Sequence, residues 1–401
     1  MIKWYEKTLD ELGIVARGKS KHRPRDAEFL YGGPYPFIQT ADVKNANLYI
    51  NSFSQTYSEE GLKQSKLWPV GTLCITIAAN IADTAILDIE ACFPDSIIGF
   101  IANEDICNVK FIKYYLSYFQ NSLKQISQGA AQDNLNLKKL LNFKFKIPNK
   151  NTQDKMAYIL SSYDDLIENN FKRIQLLEES AELIYKEWFV NFRFPGYEKC
   201  EFVDGVPVGW SRVHLNEIVS TQYGFTESAL NEDTGVKYLR GKDINKTSYI
   251  NWSSVPWCKI EDNQKDKYAL KKHDILVIRM ADPGKVGIVE EDIEAVFASY
   301  LIRVNINNDN IKPYYLFYFL NSDFYQQFIS QSSTGATRKS ANAKLITDVD
   351  ILMPEKKVIE QFETKITDLR VLLNNLLQQN QKLKEARDIL IPKLIMGEIE
   401  V

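Results

Sequence analysis

Apolar positions along the chain follow two rhythms. Short runs rich in β-branched and aromatic residues, bounded by turn residues, predict strands at residues 72–77, 97–102, 274–280 and 298–304. Residues 111–126 and 314–329 carry helical spacing instead. After Pro148 and Pro354, which favour an extended residue before them, a longer helical pattern begins each time. The first, from about residue 153 to 190, has the seam Leu160, Tyr163, Ile167, Asn170, Ile174, Leu177, Ala181, Ile184, Trp188. The second has Phe362, Ile366, Leu369, Leu373, Leu376, Asn380, Leu383, Arg387, Leu390, Leu394. Steps alternating between three and four over this length make a coiled-coil seam; the alternative is an amphipathic helix packed on its own domain.

The same grammar occurs twice because the chain is an internal repeat. Residues 4–12 match 210–218, 37–43 match 238–244, 113–122 match 313–322, Gly129-Ala130 matches Gly335-Ala336, and Ile147-Pro148 matches Met353-Pro354. Order and spacing hold throughout, so each half reads as a mixed α/β domain with an appended helix. The expected division is a first domain at 1–149, its long helix at 150–194, a turn-rich linker at 195–209, a second domain at 210–354, and a second helix with its tail at 355–401. The fold class is α+β with pseudo-twofold symmetry. The seam residues choose the helix direction. Parallel pairing of repeat equivalents would set Asn170 against Leu376 and Ala181 against Arg387, burying polar groups on aliphatics. Antiparallel pairing sets Asn170 against Asn380, Tyr163 against Arg387, Ile184 against Ile366 and Trp188 against Phe362. An antiparallel coiled coil with an Asn170–Asn380 register pair is therefore predicted.

Composition narrows the chemistry. At 401 residues, 45% hydrophobic and 25% charged, the chain is ordinary globular material for two or three domains. No apolar run is long enough to span a membrane and the start has no signal-peptide layout, so a cytoplasmic protein without membrane contact is expected. The five cysteines and three histidines have no metal-ligand spacing, and neither a metal nor a cofactor is expected. Gly13 to Ser20 fits the phosphate-loop pattern G-x-x-x-x-G-K-S, but a phosphate loop needs a buried strand before it and a helix after it. Here a polar stretch precedes and Pro24 with dense charge follows. Methyltransferase, serine-hydrolase and zinc-protease motifs are missing from the sequence, which favours binding over catalysis.

A net charge of −3 places any nucleic-acid contact in local patches. Arg17, Lys19, Lys21, Arg23 and Arg25 fall within nine residues without an intervening acid. Such a run can neutralise phosphates or read guanine, or it is a solvated surface loop. Gln39, Thr40 and Lys44 follow in the repeated segment. The second half is acidic at the place of the basic run; its candidates are Arg240, Lys242, Lys246, Arg279 and Lys285, with Arg338 and Lys339 in a later loop. In the corresponding first-half loop Gln132 and Asn134 can pair with adenine edges or cap the next turn.

The duplicated domain-helix plan, the segments GKSKHRPR, YGGPYPFIQTADV and GAAQDNLNLKKLLNFKFKIP, the hinge YKEWFVNFRFPGYE and the ending LIPKLIMGEIEV together resemble the specificity subunits of type I restriction-modification systems over essentially the whole chain. The resemblance implies a non-catalytic protein with two target-recognition domains. Each would read one half of a bipartite double-stranded DNA site, and two helices would act as a ruler holding the domains at a fixed separation of up to ~60 Å at ~1.5 Å per residue. It also implies two methyltransferase subunits that modify adenine, and motor-nuclease subunits. The chain departs from the family after Pro148, where a run ending in Glu-Gln is usual and NKNTQDK stands, and Arg338 takes the place of Gln132. A stand-alone coiled-coil DNA-binding scaffold and a nucleotide hydrolase are the competing readings.

Overall fold

The computed structural model describes residues 3–22, 24–78, 81–128, 136–333 and 339–401, the side chains of 125–128 aside. Two compact units result: residues 1–171 with 379–401, and residues 172–378. Each contains a globular part and a stretch of both long helices, which run Lys150–Tyr185 and Lys356–Ile395.

In the first unit a sheet of five strands has the spatial order Gly13–Arg17, Ile97–Ala102, Leu73–Thr76, Thr84–Leu87, Tyr49–Ile50. The central strand residues Leu73, Cys74, Ile75 and Thr76 are all buried, as a strand covered on both faces must be. Against one face lie Phe111, Tyr115 and Leu116 of helix Val109–Tyr118, Met156 and Leu160 of the first long helix, and Ile391 and Leu394 of the second. The predicted helix over 111–126 is interrupted: one helix ends at Tyr118 and another starts at Gln120. Tyr5–Lys7 pairs with Phe145–Ile147 and closes the globular part onto the start of the first long helix.

The second unit repeats this order with four strands, Val219–Tyr223, Leu301–Ile306, Ile275–Ile278, Val286–Ile288. Ser211–His214 pairs with Asp350–Met353 as its counterpart does in the first unit. Its helical segment is likewise split, into Pro313–Asn321 and Asp323–Ser332, because the Ser322 hydroxyl accepts the Tyr325 N–H and starts a new helix. The core gathers Tyr185 and Phe189 of the first long helix, Tyr315 and Tyr318, and Phe362 and Ile366 of the second. The first long helix ends in a single π turn over Lys186–Val190.

The long helices are antiparallel in both units. In the first, Asn170 Nδ2 donates to Asn380 Oδ1 at 2.9 Å and to Gln379 Oε1 at 2.9 Å. In the second, Ile174 and Leu177 pack with Leu373 and Leu376, and Trp188 lies 5.9 Å from Phe362 between ring centroids. Arg387 turns from Tyr163 to its neighbour: the guanidinium donates to the buried carboxylate of Asp164, which also accepts from Tyr114 Oη. Among the described residues no helix is long and apolar enough to cross a membrane.

Candidate nucleic-acid interface

The basic run of the first unit leaves the edge of the five-stranded sheet. Gly18 passes so close to the backbone of residues 93 and 94 that a Cβ there would lie 2.4 Å from the Phe93 carbonyl oxygen, which explains the glycine without any ligand. Lys19 N–H donates to Phe93 O, and no helix opens after Ser20. Among the described residues the segment therefore has no helix N-terminus of the kind a phosphate loop points at its ligand. Gln64 Oε1 accepts the N–H groups of Lys21 and His22, and Ser65 Oγ donates to Lys19 O, so side chains from residues 64 and 65 fasten the run.

Fastening changes which cations are presented. Arg17 donates through Nε and Nη2 to the main-chain carbonyl of Asp95, at 2.9 and 2.6 Å. Arg25 pairs with the carboxylate of the same Asp95 at 2.9 Å. Lys19 and Lys21 are exposed beside them; Arg23 lies outside the described residues. Gln39 sits at the start of the short helix Thr40–Asn45, where its N–H donates to Asp42 Oδ2 at 2.7 Å and its side chain to Gln55 at 2.9 Å. Thr40 is half-buried and Lys44 exposed on that helix. Gln132 and Asn134 lie outside the described residues.

In the second unit the structure brings most of the sequence-selected residues together. The turn joining Ile275–Ile278 to Val286–Ile288 carries Arg279 and Lys285, and an isolated bridge from Met280 to Ser340 sets it beside Lys339. The turn also lines an open cleft of about 500 Å³ through Met280 and Asp282, together with Arg240, Lys242, Asn245 and Tyr300 among others. Arg240 is held by Asp243 through two hydrogen bonds of 2.9 Å, and Lys242 and Lys246 are exposed. Arg338 lies outside the described residues.

Hydrogen bonds align the two units residue by residue. Gly18 N–H donates to Ile97 O as Gly224 N–H does to Leu301 O, and the Gln39–Asp42 turn recurs as Arg240–Asp243. Lys19 N–H to Phe93 O recurs as Phe225 N–H to Phe297 O, and Gly18 as Gly224, each too close to a carbonyl oxygen for a Cβ. Ile77 N–H to Ser96 O recurs as Arg279 N–H to Tyr300 O. At these shared backbone positions the side chains differ: Gln39 against Arg240, Lys19 against Phe225, Ile77 against Arg279. A common frame carries two different surface chemistries. Asp95, Asp243 and Tyr223, which orient the arginines, were not selected from the sequence, and only the repeat alignment could have pointed to Tyr223, which stands where Arg17 stands in the first half.

The sequence profile described as "Type I restriction modification DNA specificity domain" matches residues 1–179 and again residues 207–385. The chain belongs to that family. Its relatives include the type I restriction enzyme MjaIX specificity subunit of Methanocaldococcus jannaschii, 27% identical over 99% of this chain and 94% of the relative. The HindI specificity subunit of Haemophilus influenzae is 23% identical over 63% of this chain and 68% of the relative. In fold, the chain resembles the type I restriction-modification system S subunit from M. genitalium, with a TM-score of 0.56 and 14% identity over 98% of this chain and 96% of that one. The profile matches once per repeat, so the duplication seen in the sequence is a duplication of the family's DNA-specificity domain. This protein is accordingly a DNA sequence-specificity subunit of the type I restriction-modification class.

Proposed function

We propose that this subunit is non-catalytic and reads a bipartite double-stranded DNA site, one half-site per globular domain, for cytoplasmic partner subunits. Those partners are two methyltransferase subunits that modify adenine and the motor-nuclease subunits that cleave unmodified DNA. The observation that carries the reading is the pair of units with one strand order and different side chains at matched positions: readers built alike, tuned to unlike sequences. Phosphate contacts set register and a few base contacts set sequence. Lys19 and Lys21 supply phosphate contacts in the first half-site. Lys242, Lys246, Lys285 and Lys339 do so in the second. The target adenine must leave the stack to be methylated, which is the methyltransferase's task.

Exchange of residues 205–354 for the same region of a relative tests the reading. Methylation-sensitive sequencing of host genomes carrying the original or the exchanged gene should show one half-site replaced and the other unchanged. A target altered in both halves, or binding that is equal on every duplex, would contradict two independent readers. Within the first domain, replacing Lys19 and Lys21 together by alanine should weaken binding to all duplexes alike and reduce the salt slope by about one per lysine. An unchanged slope in a binding titration across salt would return these lysines to the solvated surface.

A further inference from the structure

We propose that Arg279 reads a guanine in the half-site of the second domain, presented edge-on by the ring of Tyr223; this rests on the DNA-reading function proposed above. The starting point is an arginine without a counter-charge. Among the described residues, the other buried or half-buried arginines each meet a carboxylate: Arg240 meets Asp243, Arg303 meets Asp274, Arg370 meets Glu290 and Arg387 meets Asp164. Arg279 is half-buried and has no such partner, and its Nε is buried without a hydrogen bond. Holding a guanidinium half-buried without a counter-charge is costly, so the arrangement makes sense if an acceptor arrives from outside at the part of the group that solvent reaches.

Its geometry is that of a held, aimed group. The guanidinium carbon lies 5.0 Å from the centroid of the Tyr223 ring, within range of a cation–π contact. Tyr223 is itself fixed, since its hydroxyl accepts the Ala343 N–H at 3.1 Å. Both polar groups of the Arg279 backbone are used: its N–H donates to Tyr300 O at 2.9 Å and its carbonyl accepts Ala341 N–H at 2.9 Å. Two residues on, Ala281 adopts a left-handed φ of 71°, which turns the chain back towards Lys285. A guanidinium resting on an aromatic face keeps its edge N–H groups in one plane, the fork that guanine O6 and N7 accept in the major groove. Exposed lysines such as Lys285 and Lys339 flank it and suit the less directional phosphates.

The repeat supplies an internal control. At the matched position the first unit has Ile77, 3% exposed, with the same backbone hydrogen bond, so the fold itself does not need an arginine there. The guanine contact is thus a property of the second domain alone.

The test uses the full chain and a library of random duplexes, selecting bound sequences for wild type, Arg279→Lys and Tyr223→Leu. Arg279→Lys keeps the charge but loses the fork. It is expected to leave the first half-site unchanged and to reduce discrimination for guanine at one position of the second by about tenfold or more. Tyr223→Leu should weaken the same preference, and 7-deazaguanine at that position should weaken wild type but not Arg279→Lys. A second half-site without guanine, or an Arg279→Lys variant that keeps every base preference, overturns the assignment. So does an Arg279→Ala variant that loses affinity equally on all duplexes with a salt slope reduced by about one, the behaviour of a phosphate contact. Should wild type itself select no sequence, the DNA-reading function fails instead, and the two failures are told apart by that control.

Discussion

Replacing Arg370 by methionine should lower the stability of the second unit by about 3–5 kcal/mol, the cost of leaving one partner of a buried ion pair uncompensated. Arg370 is 1% exposed and forms a bidentate pair with Glu290, at 2.7 Å from Nε to Oε1 and 2.5 Å from Nη2 to Oε2. It also donates to the hydroxyl and carbonyl oxygens of Ser248, at 2.7 and 2.9 Å. The Glu290 side chain is only 5% exposed, and after the substitution its remaining partner among the described residues is the Tyr314 hydroxyl at 2.8 Å. Adding Glu290→Gln removes the stranded charge and should recover a large part of the loss, a coupling that a double-mutant cycle of denaturant unfolding measures. If Arg370→Met costs less than about 1 kcal/mol, or if the two changes simply add, the pair does not hold the second long helix on its domain in the manner described.

The opposite sign is expected where the two helices meet. Asn170 is fully buried and Asn380 is 6% exposed; Asn170 Nδ2 has two acceptors, while its Oδ1 is buried without a partner. Asn380 Nδ2 reaches only Ile167 O at a long 3.4 Å. A seam position satisfied this incompletely specifies register at the expense of stability. Asn170→Leu with Asn380→Leu should therefore raise the unfolding free energy by about 1–3 kcal/mol, the desolvation cost of a buried unmatched polar group. The same variant should accept a wider range of distances between half-sites, because aliphatic seams tolerate register shifts. Thermal unfolding reads the first effect and binding to duplexes with varied half-site spacing reads the second. A fall in melting temperature, or a spacing preference as sharp as wild type, would mean that the asparagines do not set the register.

Ion pairs elsewhere show why those two seam positions behave differently. Asp164 and Arg387 are equivalent in burial to Arg370 and Glu290, and in each unit a tyrosine from the matched helix, Tyr114 or Tyr314, donates to the carboxylate. The charge on the long helix is reversed between units: the first helix carries Asp164 where the second carries Arg370. Both arrangements satisfy the buried charges locally, which the Asn pair does only in part.

The sequence by itself determined the duplication, the two long helices and their antiparallel register. These are periodic or self-similar properties, and a seam stepping by three and four states which residues face inward before any fold is known. Matching polar to polar then fixed Asn170 against Asn380, which the structure bears out. The tertiary structure alone decided which cations are free. Arg17 and Arg25 look equivalent to Lys19 and Lys21 in a basic run, yet both arginines are drawn to Asp95, 78 and 70 residues away. The break in the predicted helix at 111–126, the pairing of Asp164 with Arg387 and the approach of Arg279 to Tyr223 were equally hidden. Periodicity is a property of neighbouring residues, whereas the partner of a charge is chosen by whatever the fold brings within a few ångströms, and no local pattern encodes that.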